Sequence, residues 1–417
     1  MTISAISDDI RRVEVSPKSR PAQTRDALTG YLPGFDGLRA ISIMMVAVSH
    51  AGYGDLVPGG LGVAVFFAIS GFLITTLLLN EASATGRIDI PRFYVRRFLR
   101  LYPELLTFLA IALICGAILG LTATTTEKLA GPLYYMNYYY AFGAKYGLDE
   151  GYPWRHLWSL AVEEHFYLVF PLLVAALLPN RNRLCLVLGL LIALPLLWRI
   201  AAYQGMGMPW LYTFVATEAR IDSIAWGCLL ALMLRQRLDA GIAIQEAPYV
   251  RPWLVWVAFA VVLFTVLYRN EDFRWTWRFS IIGAALFVII ANLLFDPRWR
   301  WAVHILEWAP IRHIGRISYG LYLYHMLVDR LLREAIPESD PLFMPLALLL
   351  SGRLRICHFA LSRCRSSRSG AALVRMWGSA TTQTADGGAS RANQDDRVMA
   401  HARCECVAAL VPLGNSA

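Results

Sequence analysis

Nine separate apolar runs, near residues 38–56, 61–80, 104–123, 157–178, 184–203, 210–234, 252–268, 279–295 and 316–333, are each long enough to cross a bilayer. Lipid offers no partner for backbone N–H and C=O groups, so such runs must close their own hydrogen bonds as helices. A tenth run begins near Pro341 and breaks off after about eleven residues, half the length of a span. The expected fold is therefore an all-α, polytopic integral membrane bundle of about ten transmembrane helices. With 57% hydrophobic and 17% charged residues, a soluble domain of this length is excluded. The stretch 130–142, rich in Tyr and carrying Asn137, is too short and polar to span and reads as a partial or interfacial helix.

Charge sets the expected orientation. Arg87, Arg92, Arg96, Arg97 and Arg100 fall in the loop 81–103, which the positive-inside rule places in the cytoplasm. When the spans alternate, Arg181 and Arg183, Arg235 and Arg237, and Arg298, Arg300, Arg312 and Arg316 share that side. Only the loop 269–278, with Arg269, Arg274 and Arg278, runs against the assignment. Both termini are then cytoplasmic. The net charge of +9 is almost all arginine, Lys18, Lys128 and Lys145 being the only lysines. Because these arginines sit in short loops between apolar runs, the bias reads as a GC-rich genome and not as nucleic-acid binding. Cys115, Cys185 and Cys228 lie in apolar segments as packing residues, and no metal-ligand spacing appears.

Three sections follow: a polar cytoplasmic segment 1–34, a membrane domain 35–351, and a basic tail 352–417. The tail holds nine arginines, four acids and four of the seven cysteines. It reads either as a disordered, low-complexity extension or as the product of a shifted reading frame that has cost the chain its last helix.

Within the membrane domain a few ionisable residues stand out, because each costs several kcal/mol in lipid unless it lines a cavity or meets a partner. Arg39 and His50 are eleven residues apart, about three turns of what is expected to be one membrane-spanning helix, so both side chains are expected on the same face. A neutral imidazole at mid-membrane depth is suited to general-base work, and Arg39 to an anion or a cytoplasmic anchor. Arg97 and Arg100, one turn apart, present guanidinium forks suited to phosphate. Ser159, Glu163 and Tyr167 recur every four residues as a polar stripe on an apolar helix, with Glu164 beside it read as solvated at the helix start. Ser318, Tyr322, His325 and Asp329 share another face. Glu218 and Asp222, with Arg220 between them, read equally as a structural ion pair or a substrate contact.

Five blocks resemble the membrane-bound acyltransferase 3 family, in family order over roughly residues 33–350. They are Phe35-Asp36-Gly37-Leu38-Arg39 through His50; Gly59 through Ile74; Phe93 through Pro103 with Arg97-x-x-Arg100; Leu157 through Tyr167; and Ile317 through His325. His165 departs from the pattern, standing where the family often shows glutamine. The resemblance implies a bacterial inner-membrane O-acyltransferase that moves an acyl group, acetyl in the first instance, from acyl-CoA to a hydroxyl of a carbohydrate or lipid-linked glycan. It implies His50, Arg39 and Glu163 as catalytic residues and Arg97, Arg100 and Arg39 as the acyl-CoA (acetyl-CoA) contacts. Glu163, Tyr167, Tyr322 and His325 are expected to meet the acceptor. The competing class is a proton-coupled secondary transporter of a small polar solute, which would also place ionisable groups within the spans.

Overall fold

In the computed structural model, which describes Leu28 and residues 30–143 and 152–353, every regular element is helical. The protein is an all-α membrane protein. The helices are α1 (Phe35–Val48), α2 (Gly59–Thr85), α3 (Ile90–Ile118), the short α4 (Thr125–Ala130) and α5 (Met136–Gly143), α6 (Trp158–Leu177) and α7 (Arg181–Ile200). There follow α8 (Trp210–Val215), α9 (Thr217–Asp239), α10 (Pro252–Leu267), α11 (Glu271–Trp275), α12 (Arg278–Phe295), α13 (Arg300–Leu306), α14 (Ala309–Arg316) and α15 (Ser318–Arg333). A last apolar helix, α16, spans Phe343–Arg353. Five stretches are long and apolar enough to cross a membrane: α2, α3, α6 with the turn before it, α7 with the turn after it, and α12. The expected tail and most of the N-terminal segment lie outside the described residues.

The structure differs from the apolar pattern in three places that matter for the site. The run 38–56 is not one helix: α1 stops at Val48 and passes into a single π turn, Ser49–Tyr53, where Gly52 takes φ 96°. Glycine carries no Cβ penalty in that region, so the chain can turn out of the helix there. His50 therefore sits at the end of α1 and not midway along a span. The run 210–234 is divided at Ala216, whose ψ of 140° separates α8 from α9. The third difference lies between α2 and α3. Gly86, at φ 76°, closes α2, and the Asp89 side chain accepts from the Arg92 N–H to start α3 immediately afterwards. Arg92, Arg96, Arg97 and Arg100 thus lie on α3 instead of in a loop. At 29 residues α3 is about 43 Å long, well beyond a hydrocarbon core of ~30 Å, so its charged first turns need not lie in lipid.

Helices in lipid gain little from hydrophobic burial and associate through close packing. The bundle relies on small residues accordingly. On α2, Gly71 meets the Ile224 carbonyl of α9, and Gly227 of α9 meets the Ala68 carbonyl of α2. Gly62 of α2 packs against the Ser42 carbonyl of α1 in the same way. These contacts hold α1, α2 and α9 together around the polar residues described next. A buried ion pair adds a cross-link: Arg199 of α7 bonds to Asp222 (2.8 Å), Ser280 (2.7 Å), the Thr276 carbonyl (2.7 Å) and the Ala219 carbonyl. With so many donors satisfied, this pair is a structural staple, and it resolves the reading of Asp222.

Candidate active site

The stripe on α6 organises the polar interior. Tyr322 of α15 donates its hydroxyl to the His156 carbonyl (2.5 Å) and accepts from Ser159 at the start of α6 (2.6 Å). Two turns along, about 12 Å at 1.5 Å per residue, Tyr167 is hydrogen-bonded to Ser70 of α2. Glu163 lies between them, within electrostatic range of Arg97, Glu164 and Arg39 and beside Ser70.

Around Tyr167 the cations gather. Arg97 lies 3.5 Å over the Tyr167 ring and forms a two-pronged ion pair with Glu164, Nε to Oε1 at 3.0 Å and Nη2 to Oε1 at 2.5 Å. Glu164 is thus held by Arg97 and not simply solvated at a helix start, which corrects the reading from the sequence. Arg39 is in range of Glu163, Tyr167 and Asp36, and also of Arg100. Neither Arg39 nor Arg100 makes an ion pair to another described residue, and Arg100 is exposed. Arg39 and Arg100 are thus near enough to repel one another, a repulsion that a bound anion would relieve.

His50 lies at the other end of the stripe. Its Nδ1 is 3.0 Å from the Val46 carbonyl and 3.2 Å from Nε2 of His325. Nδ1 of His325 is 2.7 Å from the Tyr322 carbonyl. His50 is exposed, whereas His325 is only 2% exposed. A third imidazole, His156, packs edge-on against His325 with ring centroids 4.9 Å apart. The main chain is pinned here as well, by Arg333 donating to the His50 carbonyl (3.3 Å).

The expected residues thus form two groups on one polar track. Arg39, Arg97, Arg100, Glu163 and Tyr167 lie at one end, and His50, His325 and Tyr322 at the other. Ser159 and Tyr322 join them. Glu218 stands apart, bound by Tyr138 (2.6 Å) and Tyr212 near the α8–α9 break. Arg220 is enclosed by Phe67, Trp158, Phe214 and Phe279 and, among the described residues, bonds only to the Phe214 carbonyl. An open cleft of about 460 Å³ at the end of α12, lined by Pro33, Asp296, Arg300 and His304 among others, contains none of the candidate residues. Among the described residues no group of three His, Cys, Asp or Glu side chains is placed to hold a metal ion.

Two residues of the site, Ser70 and His156, escaped the sequence reading, and a third was read without its partner. Ser70 is one hydroxyl in an apolar helix and shows no period. Glu164 was seen without its partner, 67 residues away. His156 precedes by one residue the block that begins at Leu157.

The described chain is an all-helical membrane protein with ionisable residues gathered along one polar track. The acyltransferase-domain model of the acyltransferase 3 family matches residues 32–352, and the chain belongs to this family. The O-acetyltransferase OatA of Staphylococcus aureus (strain NCTC 8325 / PS 47) is 31% identical over 315 residues, which is 71% of this chain and 50% of that protein. YrhL of Bacillus subtilis (strain 168), named as a candidate peptidoglycan O-acetyltransferase, is 27% identical over 328 residues, 76% of this chain and 52% of its own length. The chain therefore spans about half the length of the curated relatives it matches. No solved structure matches it.

Proposed function

We propose that this multi-pass membrane protein is an O-acyltransferase of the bacterial cytoplasmic membrane. It takes an acyl group, acetyl in the first instance, from acyl-CoA and transfers it to a hydroxyl of a carbohydrate or lipid-linked glycan. The observation that supports this most is the exposed His50, backed by buried His325 and joined by the Ser159–Glu163–Tyr167 stripe to the Arg39/Arg100 cation pair. In this reading the donor's phosphates meet Arg39 and Arg100, and the thioester reaches along the stripe towards His50. His50 takes the proton from the acceptor hydroxyl while its oxygen attacks the thioester carbonyl. A C–O bond forms, the C–S bond breaks, and the proton passes from the imidazolium to the departing thiolate.

The test uses the full chain in liposomes, given acetyl-CoA and glycan acceptor. Release of free coenzyme A thiol together with ester-linked acetyl on the glycan is expected. Solute uptake without thiol release would instead establish the proton-coupled carrier. The donor end makes its own prediction. Arg100 is exposed and holds no carboxylate among the described residues, so Arg100→Gln should raise the donor KM about tenfold, equivalent to about 1.4 kcal/mol, with kcat within twofold. A fall in kcat at unchanged KM would remove Arg100 from phosphate binding.

A further inference from the structure

We propose that His325 is a positioning residue which fixes one tautomer of His50 and leaves its Nε2 bare for the acceptor hydroxyl; this rests on His50 being the base. The assignment follows from what each neighbour can do. A carbonyl oxygen only accepts, so Nδ1 of His325, 2.7 Å from the Tyr322 carbonyl, carries a hydrogen. Neutral His325 then has a lone pair on Nε2, and that lone pair faces Nδ1 of His50 at 3.2 Å. The other neighbour of the same His50 nitrogen is the Val46 carbonyl at 3.0 Å, again an acceptor. Nδ1 of His50 therefore carries its hydrogen, shared between two acceptors, and Nε2 holds the free pair.

The same contacts suit the next step. When Nε2 takes the acceptor's proton, the Nδ1–H contacts to His325 and Val46 are already in place, so two acceptors face the new imidazolium without rearrangement. His325 cannot swing away. It is packed between the rings of His156 (4.9 Å) and Tyr322 (5.6 Å), and Tyr322 is itself tied to Ser159 and the His156 carbonyl. Buried and bonded at both nitrogens, it has no atom to offer an acceptor sugar.

The test is a pair of variants of the full chain, His325→Leu and His325→Gln, assayed for kcat and for both KM values. Leucine removes the acceptor, whereas the glutamine oxygen can take the His50 Nδ1–H. His325→Leu should lose about 100-fold in kcat with both KM values within twofold, and His325→Gln should regain at least about tenfold of that loss. A raised acceptor KM with kcat kept would make His325 a substrate contact, and equal losses in the two variants would make it packing alone; either overturns the proposal. Should the leucine variant fail to fold, His325→Asn gives the same contrast with glutamine, because its oxygen stops one methylene short. His50→Ala separates the two readings. Full activity there denies the base itself, whereas an inactive His50→Ala with indistinguishable His325 variants denies only the positioning.

Discussion

Replacing His50 by alanine is expected to lower kcat for acyl transfer by about 100- to 10,000-fold, the range typical of a lost general base, without lowering the yield of folded protein. The two halves of this expectation come from different features of the residue. The residue is exposed at the end of α1, and among the described residues its ring makes hydrogen-bond contacts only with the Val46 carbonyl and His325. Alanine leaves the buried His325 Nε2 without a donor, a cost of about 1–3 kcal/mol. The close crossings that hold α1, α2 and α9 are untouched. Transfer is read as ester-linked acetyl on the glycan, and folding as a monodisperse peak in detergent. A well-folded His50→Ala protein retaining more than a fifth of wild-type kcat would end the general-base reading.

How much of this was legible in the sequence depends on the range of the interaction. The stripe Ser159–Glu163–Tyr167 could be read because a helix repeats its faces locally. The three residues do line one track, and most of α2, α6 and α7 and the second half of α3 fall where apolar runs predicted spans. The membrane class and the family were likewise visible, the first from hydropathy and the second from five ordered blocks. What stayed hidden depends on backbone geometry or on distant partners. The apolar run continues past Val48, so the π turn that moves His50 to the end of α1 hinges on Gly52, whose positive φ is a property of the folded chain. The break at Ala216 has no Gly or Pro at the break itself to announce it. Arg97 looked like a free phosphate fork because Glu164 is remote in sequence. His50 and His325 were each singled out, but 275 residues separate them and no local pattern could pair them.

A methyl group added at Gly227 is expected to be more damaging to the fold than any single change in the polar track. On α9 a Cβ at this position would lie 1.9 Å from the Ala68 carbonyl oxygen and 2.8 Å from the Phe72 nitrogen, both backbone atoms of α2. The reciprocal contact is as close, a Cβ on Gly71 lying 2.0 Å from the Ile224 carbonyl oxygen. No side chain can rotate to relieve this; one helix must move off the other. In lipid that separation forfeits the packing on which association depends, and it displaces Ser70, next to Gly71, from Tyr167. Intrinsic propensity predicts the opposite sign, since alanine is favoured over glycine within a helix by about 1 kcal/mol. The sign of the change therefore discriminates. Gly227→Ala should lower the melting temperature, with an overpacking cost of about 1–3 kcal/mol or more, and Gly227→Val should yield no folded protein. Gly189 on α7, with nothing within 4 Å of its Cβ position, supplies the internal control, and its alanine variant should melt at or slightly above the wild-type temperature. A Gly227→Ala protein that behaves like Gly189→Ala would mean that α2 and α9 do not touch there, and Ser70 would then lose its place beside Tyr167.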